Sequence, residues 1–207
     1  IIGIARGLSY LHNHHLGPIV HGDLKGSNVL ISDNGHALIT DFGYTLLKNS
    51  SFKITLSLPC GGTYNWMSPE IVESWEREDE CKTTTQSDVW AFGMTALELF
   101  TRKIPFDHLK NWQGIRRRIL QGPPDRPTDC LTHYRMSDDW WGICLECWTS
   151  IPLSRPSISQ ILNKVEATKV CALVFFGFFF STGQGHHGCH STTHPRLQAG
   201  NSLLCQS

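Results

Sequence analysis

An α+β fold that is mainly α-helical, with one small β-hairpin, is what this sequence predicts. Two short apolar runs, "NVLI" and "HALIT", flank Asp33-Asn34-Gly35, the pattern of two strands joined by a tight turn. Most other apolar residues recur three and four positions apart, over segments of helical length. The 207 residues are 40% hydrophobic, which suits one core and one domain, with or without a tail.

Each element has its own local reason. Ile1, Ile4, Ala5, Leu8 and Leu11 form one apolar stripe, so residues 1–14 read as the end of a helix, stopped before Gly17-Pro18. The hairpin follows over 28–40, its Asn-Gly pair tolerating positive φ. Residues 44–67 lack periodicity and are rich in Ser, Thr and Gly, which makes a long loop and a candidate functional one. A short helix is expected at 68–74, with Ser68 as N-cap and Pro69 at its first position. "QSDVWAFGMTALELFT" (86–101) is apolar on nearly every face, so it should be a helix buried all round, capped by Ser87 or Asp88. Further helices are expected around "IRRRIL" (115–120), over "DDWWGICLECW" (138–148), and from Ser157 with Ile158, Ile161, Leu162 and Val165 on one stripe.

Near residue 168 the character changes. "VCALVFFGFFF" (170–180) is followed by a stretch without periodicity. The domain is therefore expected to span 1–168, with 169–207 an unstructured or aberrant tail. The apolar run of roughly eleven residues falls short of the ~20 that a membrane helix needs. His186, His187, Cys189, His190 and His194 offer zinc-ligand chemistry, but no surrounding pattern orders them. The chain opens inside an amphipathic pattern and without Met, and is read as a fragment of a longer gene product or a truncated gene model.

Charge and cysteine usage narrow the function classes. With 18 Lys+Arg against 18 Asp+Glu, nothing electrostatic argues for nucleic acid or an anionic membrane; "IRRRIL" reads as a solvated helix face. The eight cysteines are irregularly spaced and mostly lie in apolar runs, as buried thiols of a reducing, cytoplasmic setting would. Cys144-x-x-Cys147 lies on an expected helix beside Trp140, Trp141 and Trp148, and core packing accounts for it better than zinc or redox chemistry.

Two polar loops carry the chemistry, "HGDLKGSN" (21–28) and "DFG" (41–43), each next to a short apolar run. Asp23, Asn28 and Asp41 supply hard oxygens of the kind Mg²⁺ accepts together with substrate phosphates. Lys25 is a point charge for a phosphate oxygen. A carboxylate not held by metal can orient a hydroxyl and accept its proton. The set suits phosphoryl transfer, which needs positioning and charge neutralisation more than covalent chemistry.

These loops resemble the catalytic loop H-R-D-L-x-x-x-N and the D-F-G of protein kinases. "GGTYNWMSPE" is similar to the end of a kinase activation segment, with Ser68 for the usual Ala. "SDVWAFG" is similar to the start of the kinase F helix, and "CWTSIPLSRPSISQIL" to the last part of the domain. Five motifs in kinase order over 1–168 make the resemblance specific. Lys25, "WMSPE" and the "CW…RP" form point to the tyrosine-kinase-like group of serine/threonine kinases. The resemblance implies a kinase-like C-terminal lobe, with ATP and Mg²⁺ as cofactors and a protein substrate. It implies Asp23 as catalytic base, Lys25 on the γ-phosphate, Asn28 and Asp41 as Mg²⁺ ligands, and Thr63 bonded to the Asp23–Lys25 pair. His21, Phe42 and Gly43 would fix the two loops. Asp88 would accept from the catalytic-loop backbone, and Glu70 and Arg155 would form a buried ion pair.

The sequence departs from the family in two places. Gly22 stands where H-R-D has Arg, which puts switching by phosphorylation at Ser50, Ser51, Thr55 or Ser57 in doubt. No G-x-G-x-x-G and no V-A-I-K lysine precedes the catalytic loop, so the N-terminal lobe is expected from the full gene product. Two functions remain open: a kinase acting on Ser or Thr hydroxyls, and a catalytically inactive pseudokinase or orphan lobe serving as a binding scaffold.

Overall fold

The computed structural model describes residues 1–41, 63–77, 83–129, 132 and 135–168. The tail and most of the 44–67 loop lie outside these residues. Helix α1 (Ile2–His12) buries Ile4, Ala5, Leu8 and Leu11. The strands β1 (Val29–Ile31) and β2 (Ala37–Ile39) pair antiparallel, with Val29 opposite Ile39 and Ile31 opposite Ala37. One face of this hairpin, through Val29, Ala37 and Ile39, packs against the core. Leu30 and its cross-strand partner Leu38 point outward, 56% and 51% exposed.

The turn differs in detail from the expected one. Ser32 and His36 still pair, by Ser32 N–H donating to the His36 carbonyl at 2.9 Å, and Gly35 N–H closes back on the Ser32 carbonyl at 2.8 Å. The loop is thus three residues, Asp33-Asn34-Gly35. Only its last residue, Gly35, has positive φ (76°), as in hairpins that end a type I turn on a left-handed residue.

Helix α2 (Pro69–Glu76) starts with Ser68 at N-cap and Pro69 in the first turn. Helix α3 (Thr85–Thr101) is the centre of the molecule: every residue from Ser87 to Leu97 is buried. Its cap is Thr84, not Ser87 or Asp88. The Thr84 hydroxyl accepts from Ser87 N–H, and the Ser87 hydroxyl receives the Thr84 N–H, a reciprocal capping box. This frees the Asp88 carboxylate for tertiary partners. Helix α4 (Trp112–Leu120) begins three residues before "IRRRIL", capped by Asn111. Helix α5 (Asp138–Cys147) is capped by Ser137, and α6 runs over 158–168.

Trp90, Phe92 and Met94 of α3 join Ile4 and Leu8 of α1, Ile143 and Cys147 of α5, and Ile158, Ile161 and Val165 of α6 in one core. Cys144 and Cys147 are buried free thiols. Burial pushes the Cys144 thiol up to about 12 and raises Cys147 as well, the behaviour of packing residues rather than of nucleophiles. Among the described residues no helix is long and apolar enough to cross a membrane.

Candidate active site

The site is built from the N-terminal part of α3 outward. Asp88 is 1% exposed, and a buried carboxylate needs donors. It has three. Oδ2 accepts from the His21 backbone N–H at 2.7 Å and meets His12 Nε2 at 2.8 Å, while Oδ1 accepts from the Gly22 N–H at 2.8 Å. The chain turns sharply at Gly22, where φ is +78°. A side chain at this φ costs of the order of 1 kcal/mol or more, so glycine suits the corner.

His21, fully buried, joins the two loops. Its Nε2–H donates to the Thr40 carbonyl at 2.9 Å, and its Nδ1 accepts from the Asp23 N–H at 3.2 Å. Asn28 makes the second junction: its carbonyl accepts the Thr40 N–H at 2.9 Å. Thr40 immediately precedes Asp41, so the hairpin brings the two polar loops together. Asp41 itself is exposed and held at φ +60°, an uncommon conformation for a residue with a side chain.

Around Asp23 the polar groups are divided. Oδ2 receives Lys25 Nζ at 2.8 Å and lies 3.2 Å from Asn28 Nδ2, which also donates to the Asp23 carbonyl at 2.8 Å. Oδ1 is buried and has no hydrogen-bond partner among the described residues. One carboxylate oxygen is therefore fixed by a cation and an amide, and the other keeps its lone pairs. The Asn28 amide nitrogen is committed to Asp23, so only its oxygen is available to coordinate a cation. Among the described residues no three His, Cys, Asp or Glu side chains gather as a metal cage. An amide oxygen plus the Asp41 carboxylate instead suits a hard cation completed by phosphate and water oxygens.

Farther out, Arg155 donates to both oxygens of Glu70, at 2.6 and 2.7 Å. It also donates to the Thr149 and Gln86 carbonyls at 2.8 and 3.0 Å, with its guanidinium 5.1 Å from the centre of the Trp90 ring. The pair ties α2 to the segment before α6. Thr63 opens a 3₁₀ turn, Thr63–Trp66, but its side chain lies outside what is described, as do Phe42 and Gly43.

Residues 1–165 match the family model for the protein kinase domain. The chain belongs to the protein kinase family. Its relatives include a light-sensor protein kinase of Ceratodon purpureus, 31% identical over 86% of this chain and 14% of that protein. The dual specificity protein kinase shkC of Dictyostelium discoideum is 31% identical over 82% of this chain and 31% of its own length. Human mitogen-activated protein kinase kinase kinase 10 is 32% identical over 83% and 17%. These relatives agree with the resemblance to the tyrosine-kinase-like group. The chain spans less than a third of each.

Sequence reading missed two residues of this kinase site. His12 partners Asp88 across the fold, and its only local signal is its place at the end of the α1 stripe. Glu98 accepts from the Gly26 N–H and from Trp66 Nε1, both at 2.9 Å. Its signal was legible: it is the one charged residue in the apolar run 89–100.

Proposed function

We propose that residues 1–168 form the helical lobe of a protein kinase that moves the γ-phosphoryl group of ATP to Ser or Thr hydroxyls of proteins. The rest of the catalytic unit would come from a longer polypeptide. The observation that carries this is the divided Asp23 carboxylate, set in a protein kinase domain. Oδ2 is held by Lys25 and Asn28, so Oδ1 is aimed and unspent. It would accept the hydroxyl proton as the hydroxyl oxygen bonds to phosphorus and the bond to the ADP oxygen breaks. Lys25 would offset charge on the transferred group. Asn28 and Asp41 would hold Mg²⁺, which supplies charge neutralisation on the phosphates when bound. Asp88 and His21 would keep both loops in place, with Phe42 and Gly43 completing the second and Thr63 bonding to the Asp23–Lys25 pair.

Several observations support the remainder of the reading. Leu30, Ile31 and Leu38 present apolar surface on the hairpin, suited to a covering lobe above the nucleotide. The family match stops at residue 165, in keeping with a domain over 1–168 and a separate tail over 169–207. Buried free thiols suit a cytoplasmic setting. Lys25 favours Ser and Thr over Tyr acceptors.

The test is Mg²⁺-dependent transfer from γ-labelled ATP by the full-length polypeptide, offered Ser/Thr and Tyr peptides in parallel. Label on Ser/Thr peptides is expected. A folded protein that neither binds Mg-ATP nor transfers phosphate is the scaffold instead.

A further inference from the structure

The hairpin turns an apolar face away from the core. Leu30 and Leu38 are cross-strand partners, each more than half exposed, and Ile31 beside Leu30 is exposed as well. Apolar side chains gathered on one open face mark a surface that something covers. The chain holds a segment of matching chemistry. "VCALVFFGFFF" (170–180) carries no charge and five Phe residues. It is too short to span a bilayer, where ~20 residues are needed, and burying that much apolar surface is favourable.

The path of the chain brings the two together. Helix α6 ends at residue 168, two residues past Glu166. The Glu166 carboxylate accepts from Arg6 of α1, at 2.9 Å from Nε and 2.7 Å from Nη2. Gly3 lies about one turn before Arg6 on α1, and a Cβ there would stand 3.0 Å from the Ala37 Cβ. Ala37 is the residue before Leu38. The chain therefore leaves the domain beside the first turns of α1, next to the hairpin. An extended chain covers about 3.3 Å per residue, so residues 169–180 reach up to about 40 Å. That is enough to pass α1 and lie across both strands. Two other exposed leucines are placed less well. Leu153 precedes α6, about 15 Å or more back along its axis from residue 168. Leu16 lies beyond the far end of α1 from Arg6.

We propose that the segment 170–180 folds back over the hairpin and covers Leu30, Ile31 and Leu38. It is an autoinhibitory strap, because it takes the face on which the covering lobe and the nucleotide would sit. The contact itself follows from the placement of the two apolar elements. Its inhibitory effect rests on the kinase reading above.

The test is photo-cross-linking in the full-length polypeptide, with p-benzoylphenylalanine in place of Leu38 and the adducts located by peptide mass spectrometry. Without nucleotide, adducts to the peptide containing 170–180 of the same chain are expected. Saturating Mg-ATP should lower their yield about threefold or more, since two occupants of one face exclude each other. Phe176→Asp/Phe179→Asp puts two charges into the apolar run and should abolish the adducts. The same double variant should bind Mg-ATP about tenfold more tightly, the release expected when a face is covered about nine-tenths of the time. The probe in place of Leu30, on the partner strand, gives the same reading if the first protein does not fold.

Adducts that join two chains, adducts on other segments only, or an undiminished yield in the double variant overturn the inference. So does equal Mg-ATP affinity in the wild type and the double variant. A protein that forms the tail adducts but binds no Mg-ATP, with or without the two charges, sinks the kinase reading and the inhibitory effect with it, while the contact stands.

Discussion

Two polar regions hold this kinase domain together, and they are built in opposite ways. At Asp88 the buried charge is an anion, satisfied by two backbone N–H groups and one histidine. At Arg155 it is a cation whose side chain is 0% exposed, facing a Glu70 that remains 27% exposed. The first fixes the shape of a loop that carries functional groups. The second fixes α2 to the segment before α6 and carries none. Loss at Arg155 should therefore appear as loss of fold, and loss at Asp88 as loss of loop geometry with a smaller change in stability.

The largest effect is expected at the second region. Glu70→Ala leaves the Arg155 guanidinium buried without its carboxylate. Breaking a buried pair from one side costs about 3 kcal/mol, and chemical denaturation should show it as a lowered midpoint with unchanged slope. Two carbonyls and the Trp90 face still serve Arg155, which keeps the loss from being greater.

Asp88→Asn comes next. An amide has one acceptor oxygen where the carboxylate has two, so at least one of the Gly22 and His21 N–H groups loses its partner. A stability loss of about 2 kcal/mol is expected. Amide hydrogen exchange should sharpen the contrast: His21 and Gly22 lose protection in Asp88→Asn while α2 keeps its own. The reverse pattern would mean that the two regions are not independent.

The smallest effect is expected at Ser68, where α2 begins. Its hydroxyl is buried without a partner among the described residues. Ser68→Ala removes an unmet polar group, so stability should stay level or rise by up to about 1 kcal/mol. A loss above that size would show that the hydroxyl has a partner of its own.

The same contrast explains what the sequence made legible. The α1 stripe, the wholly apolar α3 and the Ser68-Pro69 start are local patterns, and local physics sets them. The kinase motifs located the two loops because their residue types and order are themselves the chemistry. The α3 cap was misassigned because Thr84, Thr85, Ser87 and Asp88 are all good caps, and the choice fell to what Asp88 does elsewhere. The hairpin loop closed at three residues because Ser32 and His36 still pair. His12 acts through a contact between segments far apart in the chain, and such contacts leave almost no local trace; Glu98 does so too, but as the one charged residue in the apolar run 89–100 it carries a signal.

Replacing Asp23 by Asn in the full-length polypeptide asks whether this carboxylate is the base. The substitution keeps the size of the side chain and a group for Lys25, but removes the base. Mg-ATP affinity should stay unchanged, with phosphate transfer to a Ser/Thr peptide reduced about 10²–10⁴-fold. Transfer at the wild-type rate by a folded Asp23→Asn protein would contradict that role.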